Sequence, residues 1–434
     1  MCGIIGISGI INEENLQKGV NLLSHRGPDD SGIFTDKKLR IGLGHTRLSI
    51  QDLSSAGHQP MVDNSGNIIL VFNGEIYNFT ELKVELEDKG YCFNGNSDTE
   101  VLLNLYIEFG KEMFARLNGI FALAIWDKRN ASLLIARDAL GVKPLYYSKI
   151  NTESIAFASE IKALLTLLPH KKELDLESIN RYLAFLWCPG TGTPIKSIEK
   201  LLPGEAIIIK DGSIVERWPW YKLPIFSRPK KNISKESAIS GIDKYLRRAV
   251  HQQMVSDVPL GAFLSGGLDS SAIVSFAIEE DPNIRCFTIE TTGDQDKGII
   301  DDLPYAKKVA KHLNVSLDIV TIDSHRMAND LESMIIQLDE PLADPAALNV
   351  SYISKLAREQ GIKVLLSGAG GDDLFTGYRR HYALQLERYW SWMPKSSRIG
   401  LENFTRNINV NSPIQRRVTK MFSSESSCCI GLIH

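Results

Sequence analysis

The stretch Asp257-Val258-Pro259-Leu260-Gly261-Ala262-Phe263-Leu264-Ser265-Gly266-Gly267-Leu268-Asp269-Ser270-Ser271 decides how the second half of this chain folds. It opens as an apolar strand, breaks at paired glycines, and continues at once into an apolar helix. At such a strand-to-helix turn backbone N–H groups converge on an anion, the positive end of the helix dipole faces it, and serine hydroxyls add donors. A tight turn with no ligand is the plain alternative, and two glycines alone would not exclude it. Working outward, residues 284–290, 315–322 and 363–366 also read as strands, with helical stretches between. That alternation predicts an α/β domain, a parallel sheet with helices on both faces. Ligands of such sheets sit beyond the carboxyl ends of the strands. A second glycine-rich loop, Ser367-Gly368-Ala369-Gly370-Gly371-Asp372-Asp373, follows the last strand. Its two acids read plainly as helix N-terminal charges. Two loops at two strand ends argue instead for one metal–nucleotide site.

Upstream, a helix from about Glu236 places Ile239, Ile242, Leu246 and Val250 on one face. Before it, Pro219, Pro224 and Pro229 among basic and aromatic residues read as a linker. With the linker at 213–235, the chain divides into domains 2–212 and 236–434. The first of these reads as short strands with few helices. Residues 68–72 form a strand ending at Asn73-Gly74, and 120–126 and 133–137 form two more around the turn Asp127-Lys128-Arg129-Asn130. Ser97 caps a helix, Glu100 completes a capping box, and Gly110 stops it.

The chain opens Met1-Cys2-Gly3-Ile4-Ile5-Gly6, which reads as a buried first strand. Removal of Met1 leaves Cys2 with a thiol nucleophile and, on the same residue, an α-amine of reference pKa about 7.7–8.0 that can accept and return the proton. At 434 residues two or three domains are expected. A net charge of −3 gives no electrostatic case for nucleic acid or an anionic membrane as partner. The six cysteines show no metal-ligand spacing, which points to reduced thiols and a cytoplasmic location. The opening apolar run is far short of the roughly 20 residues a membrane helix needs. His251 and His312 read as surface or packing residues.

The 265–271 loop lacks the Gly-Lys-Ser/Thr of the common nucleotide loop and resembles that of ATP pyrophosphatases. Together with Cys2 it makes nearly the whole chain resemble the glutamine-dependent asparagine synthetases. The resemblance implies an N-terminal-nucleophile αββα sandwich acting as a class II glutaminase. Behind it would lie an ATP-pyrophosphatase-type synthetase domain, with an ammonia tunnel between. Cys2 matches the nucleophile and Arg47 the arginine that binds the glutamine carboxylate. Asn73 and Gly74 match the oxyanion hole, and Glu75 and Asp98 the acids that meet the glutamine amine. His25-Arg26-Gly27-Pro28-Asp29-Asp30 and His58-Gln59-Pro60 match family signatures to which no chemistry is assigned. In the second domain Leu264 and Ile289 match positions lining adenine. Ser265, Gly266, Gly267, Asp269 and Ser270, with Ser367 and Gly368, match the ATP contacts. Asp269 and Asp372 match the acids associated with Mg²⁺.

The implied reaction adenylates L-aspartate with ATP, releases pyrophosphate, and lets ammonia from L-glutamine displace AMP. Two departures keep other readings open. Many family members carry a glutamate where this chain has Ala369, at the adenylate site, and the acids of Leu338-Asp339-Glu340-Pro341-Leu342-Ala343-Asp344-Pro345 are the candidates to stand in. Members also run on beyond the point where this chain ends, with a late lysine on the ATP phosphates that nothing after Asp373 matches. The readings left open are therefore amidation of another carboxylate such as a sugar uronic acid, a glutaminase with an inactive synthetase domain, and a non-catalytic sensor. A homodimer is also left open.

Overall fold

The computed structural model describes residues 1–169, 172–224, 233–292, 302–344 and 346–378, with short stretches between 381 and 400. Its first part holds twelve strands. They are β1 (Gly3–Ser8), β2 (Asp30–Asp36), β3 (Ile41–Arg47), β4 (Met61–Val62), β5 (Ile68–Ile76), β6 (Gly119–Asp127), β7 (Ser132–Arg137), β8 (Tyr146–Asn151), β9 (Ser154–Ala158), β10 (Glu199–Lys200), β11 (Glu205–Lys210) and β12 (Ser213–Pro219). Two six-stranded sheets result, ordered β10-β8-β9-β1-β3-β2 and β12-β11-β7-β6-β5-β4. Five helices accompany them: α1 (Glu13–Leu22), α2 (Phe79–Asp88), α3 (Asp98–Phe109), α4 (Ile161–Leu164) and α5 (Leu176–Phe185).

Three apolar layers order these elements. Ile4, Ile41, Ile69, Val71, Ile135 and Phe157 fill the space between the sheets. On the outer face of the first sheet, Ile5, Ile7 and Ala156 meet Leu16 and Val20 of α1 and Ile161 of α4. On the outer face of the second, Ile68, Leu70 and Phe72 meet Leu82 of α2 and Val101, Leu102 and Leu105 of α3. The expected αββα sandwich is the fold. Its central strands are apolar on both faces, which is why β1 and the start of β5 read as unbroken apolar runs rather than alternating ones.

Local expectations shift in three places. β5 runs straight through Asn73-Gly74 to Ile76, because every residue of it pairs with β6 from Ile68↔Asp127 to Ile76↔Gly119. Ser97 caps α3 by accepting the Glu100 N–H at 3.3 Å, but the Glu100 carboxylate closes the preceding turn instead, accepting from Asn94 and Gly95 at 2.8 Å each. Residues 213–219 are the edge strand β12 rather than linker, paired to β11 from Ser213 to Pro219. The aromatics that looked linker-like anchor this end of the domain: the Trp220 ring stacks on Phe114 and Phe121, and its indole N–H donates to the Arg137 carbonyl at 3.0 Å. Much of the expected linker that remains, residues 225–232, lies outside the described residues.

The second domain alternates α6 (Lys235–Gln253), β13 (Leu260–Phe263), α7 (Leu268–Ala277), β14 (Arg285–Thr292), α8 (Leu303–Leu313), β15 (Leu317–Asp323), α9 (Ser324–Gln337), α10 (Ala346–Glu359), β16 (Val364–Leu366) and α11 (Gly371–Phe375). The sheet is wholly parallel and ordered β15-β14-β13-β16. Val274, Ala306 and Val250 cover one face, and Ile353 and Ala357 of α10 the other. On α6 the expected apolar face is buried only at its C-terminal end. Val250 is buried, whereas Ile239 and Ile242 are exposed, because α7 meets only the last turns and nothing among the described residues covers the first. Among the described residues no helix is long and apolar enough to cross a membrane.

The sheet order places β13 beside β16, with β14 and β15 on the far side. The strand order therefore reverses between the two strands that carry the glycine loops, the position where open α/β sheets bind ligands.

Candidate active sites

Cys2 stands at the mouth of β1, the buried centre of the first sheet. Its carbonyl accepts from Arg26 Nε at 2.9 Å, and Arg26 is fixed in turn by Glu160 at 2.9 Å. The Leu48 N–H points at Sγ from 3.4 Å. One cavity is lined by Cys2, Arg47, Gly74, Glu75 and Asp98, joined by Gln51 and Gln59. The side-chain amide of Asn73, buried in the adjoining position of β5, has neither Oδ1 nor Nδ2 partnered. Asn73 lies between Phe72 and Gly74, which line the cavity, but is not itself among the lining residues, and an orphaned buried amide there suits a donor for an incoming ligand.

Burial sets the proton positions here. It pushes the Cys2 thiol up, so the resting thiol is neutral. It pulls the buried α-amine that precedes Cys2, that of Met1, down to about 5. It lifts Asp98 to about 6, against hydrogen bonds from Ile76 and Thr99 that favour the charge. Glu75 is raised well above the ordinary carboxylate range, first by burial and then by the Asp98 charge. A cation bound between these two acids would relieve both penalties. Lys143, also buried in this neighbourhood, is lowered by burial in spite of Glu75.

Arg47 ends β3 with its guanidinium fixed by three main-chain carbonyls, those of Ser54 at 2.9 Å, Gln51 at 3.3 Å and Asp52. Those carbonyls belong to a strap over residues 48–54. Asp52 holds the strap with every polar group it has. One carboxylate oxygen accepts from the Ser54 N–H at 3.0 Å and the other from Asn96 at 2.8 Å. Its carbonyl takes Arg47 and its N–H donates to Asp257 at 2.7 Å. Gln51 reaches Glu75 at 2.9 Å.

The second site lies at the carboxyl ends of β13 and β16. Leu264, buried, donates its N–H to the Phe287 carbonyl at 2.9 Å, and Ile289 follows on β14. Ser265 and Ser270 hydroxyls lie 3.0 Å apart across the loop. Gly266 sits at φ +81° against the backbone of Tyr305 and Ala306, a left-handed conformation with no room for a side chain. Gly267 caps α7, whose free N–H groups point into the loop. The second loop packs directly on the first: a Cβ at Gly368 would come 2.8 Å from Ser270 N and 2.9 Å from Asp269 C. The Asp269 carboxylate lies against Gly371, next to Asp372. No group of three metal-ligating side chains occurs among the described residues. Mg²⁺ needs none, since it binds through one or two carboxylates, substrate phosphates and water, and Asp269 with Asp372 fits that pattern.

Ala369 is exposed at the lip, its N–H donating to Ser367 Oγ at 3.1 Å. Of the three acids in the stretch expected to stand in beside it, Asp344 accepts the Ala346 N–H at 2.9 Å, and the other two are committed to the first domain. Asp339 accepts the Ile161 N–H at 2.9 Å. Glu340 accepts from Tyr146 Oη at 2.9 Å and pairs with Lys200 at 2.8 Å. Both tie the second domain to the first, which removes them as substitutes.

Residues 1–221 match the family model of the glutamine amidotransferase domain, and residues 241–427 match that of asparagine synthase. Glutamine-hydrolyzing asparagine synthetase 1 of Bacillus subtilis (strain 168) is 37% identical over 87% of this chain and 59% of its own length. Putative glutamine-hydrolyzing asparagine synthetase 2 of Methanocaldococcus jannaschii is 35% identical over 88% of this chain and 76% of its own. This chain belongs to the glutamine-hydrolysing asparagine synthetase family. Proteins similar to this chain also include one of another name, amidase chry2 of Gibberella zeae, 32% identical over 84% of this chain and 55% of its own length. The chain thus spans little more than half the length of two of these curated relatives.

Set in the asparagine synthetase family, the site contains residues that sequence reasoning passed over: Arg26, Gln51, Asp52, Gln59 and Lys143. Arg26 and Gln59 sit inside the two signatures left without chemistry, and there they fix Cys2 and the Phe72 N–H, the latter at 2.7 Å. Asp52 and Lys143 carry no sequence signal, since a single acid or lysine in a loop is ordinarily solvated.

Proposed function

We propose that this chain releases ammonia from L-glutamine at Cys2 and uses it to amidate a carboxylate that ATP has activated, with L-aspartate as acceptor. The convergence of Cys2, Arg47, Glu75 and Asp98 on one cavity carries the reading. Arg47 receives the glutamine α-carboxylate and the two acids its ammonium. With Met1 removed, the α-amine of Cys2 takes the thiol proton as sulfur attacks the side-chain amide. The same amine then returns that proton to the departing ammonia. The Asn73 amide and the Gly74 N–H stabilise the oxyanion.

At the second site Ser265, Gly267, Ser270 and Ser367 hold the phosphates of ATP, and Leu264 and Ile289 border adenine. Asp269 and Asp372 hold Mg²⁺, which supplies charge neutralisation on the phosphates. The site is completed by Gly368, whose lack of a side chain lets the two loops touch. Small-molecule substrates, a cytoplasmic location and a homodimer complete the proposal, with neither nucleic acid nor membrane as partner.

A second reading has its own support. Ala369 offers no charge or hydrogen bond to an amino-acid acceptor, and Asp339 and Glu340 are engaged with the other domain. Another carboxylate, such as a sugar uronic acid, then becomes the acceptor. AMP formation with glutamine, ATP and Mg²⁺, measured with and without L-aspartate, separates these. AMP equal to asparagine and dependent on aspartate supports the first reading. Glutamate release with no AMP at any aspartate concentration sinks it.

The acids also set a pH dependence. They meet the glutamine ammonium only when ionised, and Asp98 ionises near 6. The Michaelis constant for glutamine is therefore expected to rise about tenfold as pH falls from 7 to 5, following the ionised fraction. An initial-rate series in glutamate release across that range checks it, and a flat profile would remove Asp98 from the binding site.

A further inference from the structure

The 48–54 strap is held from two sides. Toward the pocket, Leu48 N–H meets Cys2 Sγ, Gln51 meets Glu75, and the carbonyls of Gln51, Asp52 and Ser54 fix Arg47. Away from the pocket it is gripped by the second domain. Asp257 accepts the Asp52 N–H at 2.7 Å and donates its own N–H to the Ile50 carbonyl at 2.9 Å. Asp29 accepts the Ser49 N–H at 2.9 Å and is itself held by Lys363 Nζ at 2.9 Å.

The placement of the two outer residues is not scattered. Asp257 lies just ahead of β13, and Lys363 immediately precedes β16. These strands are neighbours, paired Leu260↔Val364, and they are the two that end in the glycine loops. The amino ends of both nucleotide-loop strands therefore grip the same seven-residue strap. Asp52 sits at φ +51° at its bend, a conformation an aspartate tolerates but does not favour, so outside contacts help to hold the shape.

We propose that Asp257 and Lys363 are positioning residues for the Cys2 pocket, holding the strap in the form that aims Arg47, so that the docked second domain completes the first domain's binding site. The inference rests on the reading of that pocket as a glutamine site. It assigns the synthetase domain a part in the other domain's substrate affinity, exerted through the main chain of residues 49–52.

The experiment uses the full chain and measures kcat and KM for glutamine in glutamate release, with a thermal melt for each protein. The proteins are the parent, Asp257→Ala, Asp257→Asn, Lys363→Met and the Asp257→Ala/Lys363→Met double variant. Asp257 and Lys363 are both exposed, so truncation opens no cavity. Asp257→Ala is expected to raise KM about fivefold, the net weight of one ordinary hydrogen bond. The double variant should raise it about tenfold. In both, kcat and the melting temperature should stay near the parent. Asp257→Asn, whose amide oxygen still accepts from Asp52, should restore KM. An active parent whose KM is unmoved in the double variant overturns the inference alone. So does a loss that falls on kcat and melting temperature together and is not restored by asparagine. Were Asp257→Ala to fail to fold, the KM of Lys363→Met would decide by the same criterion. A parent that releases no glutamate, or releases it equally well as Cys2→Ala, overturns the glutamine reading and this inference with it.

Discussion

Changing Cys2 to alanine is expected to cut glutamate release from glutamine by at least about a thousandfold, the usual cost of deleting a covalent nucleophile. The fold should survive. The side chain lies at the open end of β1, its Sγ engaged only by Leu48 N–H at 3.4 Å and the Leu48 carbonyl at 3.8 Å, so no buried network collapses with it. Arg26 holds the Cys2 carbonyl, which alanine keeps. Glutamine should therefore still bind, and free ammonium should still support AMP formation at the second site. Assays of glutamate and AMP on the same preparation read both halves. Residual glutamate release within tenfold of the parent would mean that another group attacks the amide, or that the cavity serves another purpose.

Gly368→Ala should act in the opposite sense, cutting ATP-dependent AMP formation by about a hundredfold or more while glutamate release continues. The added methyl would come 2.8 Å from Ser270 N and 2.9 Å from Asp269 C. Those are backbone atoms in the first turn of α7, which cannot swing aside as a flexible side chain would. One loop must move off the other, and the phosphate-facing N–H groups of α7 move with it. A misplacement of about 1 Å suffices for a loss of that size. Parallel assays of the two half-reactions check the split. An unchanged AMP rate would show that the loops do not form one site.

The contrast between these variants follows what was legible in the chain and what was not. The two glycine loops announce themselves because strand, turn and helix are local, and the layered sheets because strands buried on both faces are long apolar runs. Cys2 stood out by its place behind Met1, whereas Arg47, Asn73, Glu75 and Asp98 were legible only through resemblance, since their gathering depends on contacts between segments far apart in sequence. The strap escaped notice for a different reason. Arg47 is held by main-chain carbonyls, which any residue could supply, so residues 48–54 show no chemical pattern. Residues 213–219 misled through their Trp, Arg and Pro content. What makes them a strand is a neighbour, β11, and just beyond them Trp220 stacks on Phe114 and Phe121. The exposed Ile239 and Ile242 taught the same lesson in reverse, since helical spacing reveals a face and not what packs on it.

β1 lies between β3 and β9, and its pairing with β9 joins Ile5 to Ala158. β1 thus waits for one of its two flanking strands until residues 154–158 have been made. Contacts so distant along a chain close late in folding. Until they do, the strand that leads away from Cys2 has only one of its two edges covered. The cavity around the thiol is thus lined by residues made before the strand that completes the sheet beneath it.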